Sequence, residues 1–212
     1  METRLADDFY LITHDDRSGA LQVPLEAARL GLATALLAEL WLTGHLVIYR
    51  DGVYPTGSTG RPGNGLAGEV LAAISDPRSE RLVGAWIRFL AIDAVPDVRG
   101  RLLADGVLLT VRRRGAFGRR TFPPASSNEA AWAGMRIARQ LSYREPLSAS
   151  DQILTGIVLA TGLLDRVLWD PVTHSGGHQT AAEVRAGLPS EVQVLLGHLE
   201  ACVANAVLTA LH

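Results

Sequence analysis

Hydrophobic and polar positions change period several times along the chain, and each change marks an element. Leu25, Ala28, Leu32, Ala35, Leu36 and Leu40 follow helical spacing, while Ala33, Leu37 and Ala38 fill the other faces. The pattern predicts a helix from Pro24 to about Leu42, apolar around most of its circumference, with Pro24 at its first turn and Gly44 at its stop. Such a helix belongs at the centre of a bundle. Before it, Phe9–Thr13 and Ala20–Val23 flank the polar turn Asp15–Gly19 and predict a small hairpin. After it, His45–Arg50 and Asp51–Tyr54 predict a second hairpin, with Asp51-Gly52 as the tight turn.

Further helices are expected at Leu66–Ser75, Arg78–Ile92 and Asp97–Ala104, the last stopped by Asp105-Gly106. The period then switches to that of strands. Val107–Val111 and the run to Phe122 predict a third hairpin, ended by Pro123-Pro124. Ser126-x-x-Glu129 has capping-box spacing and opens a helix to about Tyr143. Helices at Asp151–Trp169, Ala181–Leu188 (introduced by Thr180-x-x-Glu183) and Glu191–Leu211 complete the chain. The expected fold is mainly α: one helical-bundle domain over residues 1–212 with short β-hairpins, one of them, at about 107–122, protruding and basic.

Composition narrows the chemistry. With 212 residues, 48% of them apolar, the chain is long enough to build a core without disulfides. Cys202 is the only cysteine, which excludes an internal bridge and a cysteine zinc site and fits a reducing compartment. All 20 basic residues are Arg. Schiff-base catalysis, pyridoxal phosphate attachment and a P-loop all need an amine, so the Gly-rich stretch 57–65 reads as a connector. The missing Lys fits GC-rich coding DNA, and hence a bacterial source. The acidic start, Met1 to Asp8, is not a secretory signal, which places the chain in the cytoplasm. Ile153–Leu164 is too short to span a bilayer, and Val192–Leu211 carries Gln193, His198, Glu200 and Asn205, so a bundle helix is expected there.

Charge is distributed unevenly. The chain has a net charge of −2, yet residues 112 to 120 hold five Arg and no acid, which leaves the remainder at −7. Arg112, Arg113, Arg114, Arg119 and Arg120 repel one another, and a turn has no structural need of them. They point to an anionic partner. Phe117, between Gly115 and Gly118 at the tip, suits a bilayer interface where a ring sits among headgroups and guanidiniums meet phosphates. Enzyme chemistry has thinner support. His174 and His178, with Asp170, have loose metal-ligand spacing in what reads as a polar loop, without a third close ligand. The adjacent acids Asp7/Asp8 and Asp15/Asp16 diverge and read as surface and turn residues. No metal, cofactor or catalytic residue is therefore expected.

The order Leu5-Ala6-Asp7-Asp8-Phe9-Tyr10-Leu11-Ile12, Gly19, Gly31-x3-Ala35-Leu36-Leu37-Ala38-Glu39-Leu40-x3-Gly44-His45-Leu46 and Tyr54-Pro55-Thr56-Gly57 resembles the bacterial branch of the Golgi phosphoprotein 3 family. Ala85-Trp86-Ile87-Arg88-Phe89-Leu90 and Leu102-Leu103-Ala104-Asp105-Gly106-Val107-Leu108 continue the match. The resemblance implies a mostly helical domain with a protruding hairpin. Eukaryotic members are peripheral membrane proteins that bind phosphatidylinositol 4-phosphate and the cytosolic tails of Golgi glycosyltransferases. Their lipid pocket uses a Trp before the central helix, an Arg within it and an Arg pair on the helix before Gly-Val-Leu. Those first two positions fall on Pro24 and Ala33, and Arg99, with Arg101 beside it, matches the pair in part.

Residues and resemblance together predict a non-enzymatic, cytoplasmic protein on the inner face of the membrane that binds anionic phospholipid through Arg112, Arg113, Arg114, Phe117, Arg119 and Arg120, with Arg99 and Arg101 as further lipid ligands. Membrane-protein clients and a second copy joined through the hairpin are further expected partners. The alternative is a winged-helix nucleic-acid binder, with 98–122 as recognition helix and wing. The apolar flanking helices are too numerous for such a domain.

Overall fold

The segment read as a first hairpin is a helix in the computed structural model, which describes residues 4–58, 65–112, 120–169 and 171–210. Helix α1 spans Leu5–Thr13 and buries Leu5, Ala6, Phe9, Tyr10 and Ile12, the i, i+4, i+7 set of one helical face. Asp7 and Asp8 in its first turn suit the positive end of the helix dipole. Phe-Tyr-Leu-Ile-Thr has strand propensity, but burial on a 3.6 period outweighs it. Of the expected strand pairing, one isolated bridge remains, His14 to Leu21. Asp15 does make the turn, accepting the backbone N–H groups of Arg17 and Ser18.

Helix α2, Leu25–Leu42, begins directly after Pro24 and is the central helix, as its all-round apolar pattern predicts. Every residue from Ala27 to Leu40 except Arg29 is buried, and the helix packs against α1. Gly31 permits that approach: a Cβ there would lie 2.2 Å from the Phe9 ring. Strands β1 (Leu46–Tyr49) and β2 (Gly52–Pro55) form the second hairpin. Its two-residue loop is Arg50-Asp51, with Arg50 at φ 52°, and Gly52 pairs with Tyr49 one step later than the sequence suggests.

Helices α3 (Gly65–Ser75), α4 (Val83–Ala91) and α5 (Ala94–Ala104) follow. Helix α4 starts later than Arg78 because Glu80 accepts the N–H groups of Arg81 and Leu82 and Leu82 bridges to Gly52. Strands β3 (Val111–Arg112) and β4 (Arg120–Thr121) are the base of the third hairpin. Helix α6, Ser127–Tyr143, is capped as its sequence predicts, the Ser126 hydroxyl accepting the Glu129 N–H at 3.3 Å.

Two boundaries differ beyond α6. The helix expected over Asp151–Trp169 is two, α7 (Ala149–Ala160) and α8 (Leu164–Val167), broken where Gly162 takes φ 72°. The polar loop expected at 174–178 belongs to helix α9, Pro171–Ala186, and Thr180 caps nothing: its hydroxyl donates to the Gly176 carbonyl inside the helix. Within this helix only glycine fits at 177, because the Leu168 side chain occupies the place of a Cβ, 2.7 Å away. Helix α10, Ser190–Ala210, buries Val192, Leu195, Leu196, Leu199 and Cys202. It is long and apolar enough to cross a membrane by length and composition; here its inner side packs on α2, α4 and α7. One apolar cluster runs from Leu5 to Cys202 through these helices, so the fold is mainly helical with two small strand pairs.

Candidate functional site

The base of the basic hairpin is fixed from three sides. Leu108, 2% exposed, anchors it in the core, and backbone bonds tie Leu109 to Pro123 and Ala125 to Val107, each at 2.8 Å. The Arg99 guanidinium of α5 sits 4.4 Å from the centre of the Phe122 ring, in cation–π geometry. The 15–19 turn closes the third side. Gly19, at φ 66°, comes so near that a Cβ would lie 2.1 Å from the Phe122 carbonyl oxygen, so only glycine fits on both counts. Above this support, Arg112 and Arg120 are exposed and face each other directly across the ladder. Like charges at opposed positions destabilise a strand pair, so they do not serve the fold. Arg113, Arg114, Phe117 and Arg119 lie outside the described residues.

Tyr10 and His14 lie beneath the same support. Their rings stack at 3.8 Å with 10° between the planes, and His14 Nδ1 bonds to the Tyr10 carbonyl at 2.8 Å. Burial pushes the Tyr10 hydroxyl up to about 12. Burial, with the Arg99 charge adding to it, pushes the His14 imidazole down to about 4. His14 is therefore neutral in the folded protein across the range where the unfolded chain takes up a proton. Its contribution is present above about pH 6.5 and is lost as pH falls toward about 4, up to roughly 3 kcal/mol in all. Asp7, Asp8 and Glu39 bias the acid range the other way, because burial raises their carboxyls in the folded state. The comparison isolates His14: denaturant titrations of the parent and of His14→Asn between pH 4 and 7 should show a steeper acid loss in the parent, and equal slopes would refute this role.

Arg101 is not a surface group. It is 9% exposed, and its guanidinium bonds Asp7 at 2.8 Å and both oxygens of Glu39 at 3.0 and 3.1 Å. Glu39 also accepts the Ala6 N–H at 2.9 Å, so one cation and two carboxylates lock α1 and α2 to α5. Expected as a lipid ligand, Arg101 instead neutralises buried acids. Arg99 is the member of the pair that reaches the hairpin. Asp7, expected at the surface, is buried. The divergence of the two acids does hold: Asp8 turns to Arg136, at 2.7 Å, which also holds Asp151 at 2.8 Å and so joins α1 to α6 and α7. The sequence reading did not single out Glu39, although a lone acid in an apolar run is a signal that demands a buried cation.

His178 Nε2 lies 2.7 Å from Asp165, and among the described residues no group of three His, Cys, Asp or Glu could hold a metal. Asp170 and the His174 side chain lie outside those described. Pro24 is exposed at the start of α2, and Ala33 is fully buried inside it. Neither position offers a polar group to a headgroup.

The sequence profile of the Golgi phosphoprotein 3 family matches residues 5–210, nearly the whole chain. The chain belongs to the Golgi phosphoprotein 3 family (GPP34). No curated protein matches it. The span matched to the Golgi phosphoprotein 3 profile includes the Gly19 turn, α2 with Glu39, and the hairpin.

Proposed function

We propose that the protein is a peripheral membrane protein that binds anionic phospholipid through the 107–122 hairpin, on the inner face of a membrane, and works by binding rather than by catalysis. The observation that carries this is the exposed, facing pair Arg112 and Arg120 on a buttressed base, extended by three more Arg and Phe117 in the sequence between them. Family membership supports the lipid-binding or adaptor role, with membrane-protein clients as further partners. Because Pro24 and Ala33 carry no headgroup ligand, binding follows surface charge rather than one headgroup.

Co-sedimentation with vesicles of phosphatidylglycerol, cardiolipin, or phosphatidylinositol 4-phosphate at matched charge, beside a duplex DNA titration, tests this. The expected result is comparable binding to all three vesicles, weakened by salt. A strong preference for phosphatidylinositol 4-phosphate would refute charge-led binding, and tight DNA binding without vesicle binding would refute the membrane reading. Nucleic acid is disfavoured by α5 itself: its exposed flank carries Asp93 and Asp97, which a recognition helix could not bring against phosphates.

A further inference from the structure

Helix α6 is amphipathic in an unusual sense. Ala130, Ala133, Ile137 and Leu141 face the core, while Trp132, Met135, Arg139 and Tyr143 form one stripe along the outer side. Trp132 is 56% exposed, Met135 50% and Tyr143 69%, and Trp169, after α8, is 78% exposed. Trp169 and Met135 together line two adjoining cavities of about 320 and 190 Å3. Two Trp and a Tyr this open to water are costly in a protein whose core is otherwise closed.

Position and charge say what covers this patch. The larger cavity is also lined by His14, Asp15 and Asp16, and the same turn reaches Phe122 through Gly19, so the patch is continuous with the hairpin base. Arg17 is exposed in that turn. Asp15 at this edge is held by hydrogen bonds from the Ser18 N–H and the Gln22 amide, and Arg166 lines the same cavity; a separate group of acids lies on and beside α5. At 3.6 residues per turn Arg99 and Asp97 stand about 200° apart on α5, on opposite flanks of its buried face. On the Asp97 flank lie Glu69 and Asp93; burial first, then these two charges, push the Asp97 carboxyl up. An anionic surface therefore attracts the hairpin flank and repels the other. Trp and Tyr rings have an apolar body with a polar edge, which is the chemistry of the headgroup boundary.

We infer that Trp132, Met135, Tyr143 and Trp169 form a second, apolar contact with the lipid surface, which seats the protein beside its hairpin and turns the Glu69–Asp93–Asp97 flank away from the membrane. This rests on the membrane role proposed for the hairpin and adds a footprint to it. The contact survives salt, because apolar burial is not screened, whereas the hairpin's attraction fades.

Vesicles of mixed phosphatidylglycerol and phosphatidylcholine with brominated acyl chains test it. Tryptophan emission of the full chain should be quenched on binding, and in Trp132→Phe/Trp169→Phe, which keeps Trp41 and Trp86, the quenching should largely vanish. Trp132→Ser/Trp169→Ser should bind about tenfold more weakly at high salt, with its melting temperature near that of the parent. If the parent sediments with vesicles without quenching, or the Ser variant binds like the parent at high salt, the second contact is refuted while the hairpin reading stands. If the parent does not sediment at all, both fall. A concentration-dependent dimer in sedimentation velocity that the Ser variant abolishes would show a second copy covering the patch and refute the lipid contact.

Discussion

Replacing Arg101 by Met is expected to lower stability by about 3–5 kcal/mol, the cost of stranding buried carboxylates without their cation. Asp7 and Glu39 share this one guanidinium in the core, and their side chains are 10% and 3% exposed. Arg4, 3.7 Å from Asp7, pairs more closely with Asp105. In a chain of this size the loss corresponds to a fall of roughly 6–20 °C in melting temperature. Arg101→Lys should recover only part of it, because an ammonium cannot bond both oxygens of Glu39 and Asp7 in a planar fork. Adding Glu39→Gln and Asp7→Asn to the Met variant should recover more, by removing the stranded charges. A Met variant that melts within a few degrees of the parent would show that the network does not hold α1 in place.

Replacing Arg112, Arg113 and Arg114 by Ser should weaken binding to anionic vesicles by at least tenfold. Each cation close to an anionic surface contributes about 1 kcal/mol, so three supply on the order of 3 kcal/mol before salt and geometry reduce it. Raising salt should weaken the parent in the same way. Phe117→Ser should cost less at low salt, with a loss that persists at high salt, since burying the ring is worth roughly 1.5–3 kcal/mol and is not screened. The fold should tolerate all four changes. Arg112 is exposed, and relieving its like-charge opposition to Arg120 costs the ladder nothing. If the triple variant sediments like the parent, the hairpin does not carry the affinity.

How far the sequence reached depends on whether an element's signal was local. Helix α2 was legible because an apolar circumference has one use, burial on every side, and its start after Pro24 needs only the proline's fixed φ. The β1–β2 hairpin and the Ser126 cap are also local: a two-residue turn, and a hydroxyl three residues before its partner N–H. The basic hairpin showed itself in the same way, because five Arg in nine residues are a property of the chain before it folds.

Helix α1, α9 and the site's supports were decided by the tertiary structure. Phe9–Thr13 carries strand propensity worth a fraction of a kcal/mol per residue. Burying Phe9 against Gly31 and Leu5 against the core outweighs it, and neither partner is near in sequence. The stretch at 174–178 reads as a polar loop, and nothing local in it shows that Leu168, nine residues before Gly177, takes up the room a side chain there would need. The same limit governs Arg99 and Arg101. They differ by two positions on one helix, about 200° of rotation, and composition treats them alike. Only the packing of α1 and α2 on one side of α5, and of Phe122 on the other, makes one a core counter-ion and the other a support of the hairpin. Sequence by itself determined where the chain is apolar all round and where its positive charge is concentrated, since these follow from neighbours along the backbone, whereas the break at Gly162 and the helix over 174–178 did not show in it. Which charge is buried and which is left exposed was decided by the fold, because desolvation depends on what packs against a group from elsewhere in the chain.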